Sequence, residues 1–146
     1  MIRVAIAISM SSNPGIAVVA ACPLTRTPTV RLCHIDAEVT NFHAYWFAMD
    51  LALSRLDGRP AEILTNCTGF LDDRGRMRPA WSEEYRALSE TCVRRARASG
   101  SVVRFVGTAP SAPKTPEADW IRWLGQRARQ ELAQWLEAPP YEGDAL

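Results

Sequence analysis

A chain of 146 residues, 47% hydrophobic and 23% charged, is long enough to bury one substantial core and too short to expect two. Its formal net charge of +1 provides no overall positive field, which excludes broad electrostatic capture of phosphate backbones and confines any nucleic-acid contact to local patches. Positive charge is almost all arginine, with Lys114 the sole lysine; arginine suits carboxylate and phosphate pairing, and arginine-favouring base composition explains the bias equally well.

The N-terminus Met1-Ile2-Arg3-Val4 runs straight into a strand pattern without a basic leader, and no apolar run approaches the ~20 residues a membrane span needs. A cytoplasmic protein is expected. Cys22, Cys33, Cys67 and Cys92 are widely spaced, with no Cys-x-x-Cys or Cys/His pairing, so they read as reduced, mostly buried thiols rather than a disulfide framework or zinc site.

Residues 2–8 (IRVAIAI) form an apolar, β-branched run expected of a strand buried on both faces. Ser11-Ser12-Asn13-Pro14-Gly15 supplies turn chemistry, and residues 16–22 (IAVVAAC) read as the returning strand. After a second turn at Pro23 to Pro28, residues 30–36 alternate apolar with polar, as a half-exposed strand does. Thr40 is an N-cap candidate for a helix whose apolar face runs through Phe42, Trp46, Met49, Leu53 and Leu56. Ala44, Ala48 and Ala52 make its other side small and apolar, which predicts burial nearly all round.

Residues 61–66 read as a fourth strand, followed by a short helical segment and an Arg74-Gly75-Arg76-Met77-Arg78-Pro79 loop. A helix over 82–98 and a fifth strand over 102–106 come next. The loop 107–116 (GTAPSAPKTP) is expected to be mobile. Pro116 suits a first helical turn with Glu117 and Asp119 near its N-terminus, and the helix is predicted to continue to about Glu137. The expected organisation is one domain over 1–138 and a C-terminal tail over 139–146.

Asn13-Pro14-Gly15 after a first strand, and Thr40-Asn41 opening a central helix, resemble the ribonuclease H-like superfamily, whose first hairpin turns at Asn-Pro-Gly and whose central helix begins with Thr-Asn. The element order β-β-β-α-β-α-β-α extends the resemblance over nearly the whole chain. It implies an α/β fold with a five-stranded mixed sheet, three antiparallel strands first and two parallel additions, flanked by helices. It also implies a hydrolase that holds two divalent ions with four carboxylates.

Three of the four positions carry another residue, and the fourth is open between two registers. Counting back from Asn13, the family's first-strand Asp falls on Ala7; its helix Glu falls on Tyr45; its Thr-Asp-Ser after the fourth strand is here Thr65-Asn66-Cys67. The last helix Asp falls on Arg122 when Leu124 and Ala128 are aligned with the family's packing residues, and a shifted register offers Asp119. Strand 2–8 contains no carboxylate at all, so no small shift rescues the first site, and hard cations are not held by such neutral groups. The expectation is loss of two-metal chemistry, with no metal and no cofactor.

The resemblance makes Asn13, Thr40 and Asn41 candidate backbone contacts, although turn and cap roles explain them too. Arg74, Arg76 and Arg78 are candidate phosphate contacts, as are Arg94, Arg95 and Arg97, beside Glu83, Glu84 and Glu90. Phe42 and Tyr45 would make the old cleft an aromatic surface if exposed, while helical spacing puts Trp46, Trp120 and Trp123 mostly in the core. Cys67 is a candidate nucleophile if His34 or His43 reaches it. Asp36, Glu38, Asp50, Asp72 and Asp73 are candidates for a relocated metal site. The reading these residues support is a catalytically degenerate domain acting as a binding or scaffold module, with a protein partner or larger assembly favoured over weak nucleic-acid binding. The alternatives are an enzyme with a new site near Asn66, Cys67 and Tyr45, and a weak nuclease with relocated carboxylates.

Overall fold

The computed structural model describes residues 1–11, 15–23, 27–35, 40–80 and 83–137, with Asn41 described in its backbone only. Five strands form one sheet in the order β3-β2-β1-β4-β5: β1 (Ile2–Ser11), β2 (Ile16–Pro23), β3 (Thr29–His34), β4 (Ala61–Thr65) and β5 (Val102–Phe105). The first three pair antiparallel, and β4 and β5 are added in parallel, as a chain that hairpins first and crosses over through helices later must do. Among the described residues three α-helices flank the sheet, α1 (Asn41–Leu56), α2 (Glu83–Ser99) and α3 (Pro116–Glu137), and a single 3-10 turn over Thr68–Phe70 follows β4.

Strand β1 is central, and its alternation divides the core. Val4 and Ile6 pack with Trp46, Met49, Phe70 and Cys92 on the α1 and α2 side, while Ala5 and Ala7 pack with Ile121, Leu124 and Ala128 of α3 on the other. This two-sided burial is the one the apolar run predicts. Pairing continues to Ser11 against Ile16, three residues beyond the apolar run, because hairpin register carries polar residues up to the turn.

Helix α1 is buried on most of its circumference, with Ala44, Trp46, Ala48 and Met49 fully enclosed. The Thr40 side chain caps it by accepting from the His43 backbone N–H, and Asp57 ends it in a left-handed turn at φ 51°, a conformation Asp tolerates better than most residues. Gly100, at φ 73°, closes α2: its N–H bonds to Arg97 O and the Ser101 N–H to Ala96 O, the paired closure of a Schellman cap. Helix α3 turns only one face inward, through Ala118, Ile121, Leu124, Ala128 and Leu132. Trp123 therefore stands half-exposed at 49%, against the expectation that helical spacing places it in the core.

The segment 107–116, expected to be mobile, is anchored at its base. Val106 N–H bonds to Thr65 O, Ala112 N–H closes a turn on Ala109 O, and Thr108 is held from two sides by Asn66 and Arg122. The tail beyond Glu137, with Asn13, Asp36 and Glu38, lies outside the described residues. Among the described residues no helix is long and apolar enough to cross a membrane.

Candidate functional site

Strand ends and one helix face meet in a cleft of about 280 Å³ lined by Ala7, Tyr45, Asn66, Thr108, Arg122 and Arg129, among others. The topology explains the convergence. Parallel β4 ends at Thr65 beside the middle of β1, and β1 has α1 packed on one face and α3 on the other, which leaves a crevice at the carboxyl end of β4 of the kind open α/β sheets build there. All four positions at which the resemblance expects a carboxylate line this one cleft.

A chain of hydrogen bonds crosses it. Tyr45 Oη donates to Asn66 Oδ1 at 2.6 Å, Asn66 Nδ2 donates to Thr108 Oγ1 at 3.0 Å, and Arg122 Nε donates to Thr108 O at 3.1 Å. Arg122 Nη1 also donates to Asp119 Oδ1 at 3.0 Å. Between the two register alternatives on α3, Arg122 lines the cleft, and Asp119 projects outward with its side chain 74% exposed. Burial, followed by the neighbouring Cys67 thiol, raises the Tyr45 phenol to about 12, against the opposing hydrogen bond to Asn66. Tyr45 thus stays protonated and is a donor at neutral pH.

This donor set does not fit a pair of divalent ions. The described lining residues include no carboxylate, the oxygen of Asn66 already accepts from Tyr45, and a guanidinium stands where ligand charge would be needed. Among the described residues no group of three His, Cys, Asp or Glu side chains converges to hold a metal anywhere.

The remaining candidates are dispersed. Asp50 is clasped by Arg31 and Arg95, each at 3.3 Å, which ties β3, α1 and α2 together. Asp72 Oδ1 accepts from the backbone N–H groups of Arg74 and Arg76; the Arg76 N–H foremost, then that of Arg74, holds its carboxyl below the usual range. Arg74, Arg76 and Arg78 do share a larger cleft of about 630 Å³, and Asp72, Asp73 and Glu90 line it with them, so its charge is mixed. Asp73 lies there beside Asp72 without forming a three-ligand group.

Cys67 stands apart from both histidines. His43 Nδ1 lies 2.9 Å from Thr40 Oγ1 and its ring stacks on Tyr85, while His34 meets the edge of Trp135. Burial raises the Cys67 thiol, against a backbone hydrogen bond from Gly69, the opposite of nucleophile activation. Phe42 packs its ring against Gly69 and is half-buried. Of Phe42, Tyr45, Trp46, Trp120 and Trp123, only Tyr45 lines the small cleft, so an aromatic surface there is not formed. Thr108, Gln126 and Arg129 line it without having been expected to. The spacing of 122, 126 and 129 on one helix face was a usable signal; nothing local marks Thr108.

No family model and no curated protein matches the sequence. Solved structures match over nearly its full length. The ribonuclease H1 of the halophilic archaeon Halobacterium salinarum NRC-1 superposes with a TM-score of 0.66 at 12% identity, covering 89% of this chain and 98% of that one. LC11 ribonuclease H1, in complex with an RNA/DNA hybrid, gives a TM-score of 0.62 at 14% identity, covering 90% of this chain and 99% of the other. The fold is ribonuclease H-like.

Proposed function

We propose that this chain is a ribonuclease H-like module that works by binding and not by two-metal hydrolysis. One observation supports the reading: Ala7, Tyr45, Asn66 and Arg122, at the positions where the resemblance expects carboxylates, line one cleft, and Tyr45, Asn66 and Arg122 are tied together there through Thr108. Two-metal cleavage needs several anionic oxygens around two ions to activate water and hold the leaving oxygen. Neutral side chains and a guanidinium supply none of that charge.

A protein partner or larger assembly is favoured over nucleic acid as the macromolecular partner. The net charge of +1 gives no long-range attraction to a polyanion, and Val102 and Phe105 stand exposed on the edge strand β5, where a protein partner would cover apolar surface. Nucleic-acid contact through Thr40, Asn41 and the Arg74, Arg76 and Arg78 loop is then weak and salt-sensitive, of micromolar order or weaker.

The test is a manganese titration followed by NMR line broadening. The wild-type protein should show no broadening centred on Ala7, Tyr45 and Asn66, whereas Ala7→Asp, Tyr45→Glu and Asn66→Asp combined should introduce it. Broadening centred there in the wild type would sink the reading.

A further inference from the structure

We infer that the converted cleft binds a phosphate group of a small ligand, held by Arg122 and Arg129. The inference goes beyond the binding-module reading by naming a ligand class, and it rests on that reading in needing no metal. Arg122, Gln126 and Arg129 lie at i, i+4 and i+7 on one face of α3, so the two arginines are separated by about 10.5 Å along the axis, a span into which the exposed Arg129 side chain, leaning toward the helix N-terminus, can reach across Gln126. Arg122 is pre-oriented: Nε is fixed by Thr108 O and Nη1 by Asp119, leaving Nη2 without a partner among the described residues. Arg129 is exposed and forms no ion pair or hydrogen bond with any described residue.

Charge and shape agree. The described lining carries two guanidiniums and no carboxylate; Asp119, which pairs with Arg122, is not among the lining residues and is itself largely exposed. The larger arginine cleft, in contrast, contains three acidic side chains. Ala7 makes a shallow floor, and at Gly125 a side chain would meet only open space, so the helix wall stays low between the arginines. A volume of about 280 Å³ is at the small end for ligand sites and suits a phosphate with a few further atoms, not a duplex. Planar guanidiniums recognise phosphate through paired charge-assisted hydrogen bonds.

The experiment titrates the intact protein with inorganic phosphate, a nucleoside 5′-monophosphate and the matching nucleoside. Binding is followed by NMR shifts, in excess EDTA and again with magnesium. Phosphate and monophosphate should shift the same resonances around Asn66, Thr108 and Arg122 in EDTA, and the nucleoside should not. A monophosphate binding more tightly than phosphate identifies a nucleotide ligand; equal affinity identifies the phosphate group alone. Arg129→Ala and Arg122→Gln should each weaken binding about fivefold or more. Because Arg129 is exposed, Arg129→Glu keeps the fold and should abolish binding, whereas Arg127→Ala, on the same helix but outside the cleft lining, should leave it unchanged.

Absence of binding in either buffer, shifts confined to the Arg74 and Arg76 cleft, or affinity indifferent to Arg129→Glu overturns the inference while leaving the metal-free reading intact. Binding that appears only with magnesium overturns both.

Discussion

Tyr45 Oη and Asn66 Oδ1 are 2.6 Å apart, a phenol from the second turn of α1 hydrogen-bonded to an amide just past the end of β4. Through Asn66 Nδ2 the bond continues to Thr108, so two elements and a loop are joined across the cleft by one side chain. Replacing Tyr45 by Phe should cost about 1 kcal/mol, the net worth of one partly buried hydrogen bond. Asn66→Ala, which breaks both bonds, should cost more, and the double variant less than the sum. Urea unfolding of the three variants checks this; strict additivity would show that the two residues do not communicate.

A second prediction concerns space. A side-chain carbon at Gly69 would collide with the Phe42 ring, so Gly69→Ala should destabilise by about 1–3 kcal/mol, the usual range for overpacking. Adding Phe42→Ala should recover part of that loss. Unchanged stability in Gly69→Ala would mean that Phe42 is not closed on the turn after β4.

Alkaline pH should weaken the fold. Burial raises Cys22 from 9.0 to about 11, Cys92 from 9.0 to about 12 and Tyr45 from 10.0 to about 12. Each group holds its proton more tightly folded than unfolded, so the unfolded chain ionises first. Their contribution is fully present below pH 9.0 and is lost as pH climbs toward about 12. Urea midpoints measured across that window should fall steadily, and a midpoint constant from pH 9.0 to about 11 would contradict the assignment.

The four thiols should also react in a definite order. Cys22 and Cys92 are buried, and Cys33 and Cys67 are partly accessible; burial raises the pKa of all four. Alkylation at neutral pH should reach Cys33 and Cys67 first, each more slowly than in urea-unfolded protein. Cys67→Ser should lower stability modestly and leave the phosphate titration unchanged. A Cys67 rate above that of the unfolded chain would point to an activated nucleophile.

Much of this architecture is legible in residues with strong local signals. The β1 run, Thr40 as a cap, the apolar and small-residue faces of α1 and Pro116 at the first turn of α3 each state their role through period or turn chemistry, and strand order follows from hairpins preceding crossovers. The place of Ala7, Tyr45, Asn66 and Arg122 in one cleft follows from the resemblance once the elements are aligned. What the cleft does with them was not legible. The Tyr45–Asn66 bond spans 21 positions and Asn66–Thr108 spans 42, so neither leaves a local pattern. Trp123 was placed in the core and Arg129 was not singled out, for one reason: α3 buries a single face, and which residues fall beside it depends on the helix's rotation against the sheet rather than on periodicity alone.

Whether hydrolysis has been lost is settled by incubating an RNA·DNA hybrid with the purified protein in magnesium and in manganese, with contaminating nuclease excluded by a chromatographically matched blank. The Tyr45–Asn66–Thr108–Arg122 cleft predicts product no faster than the blank with either ion. Metal-dependent cleavage that co-elutes with the protein and survives replacement of Asp36 and Asp119 by alanine would contradict it.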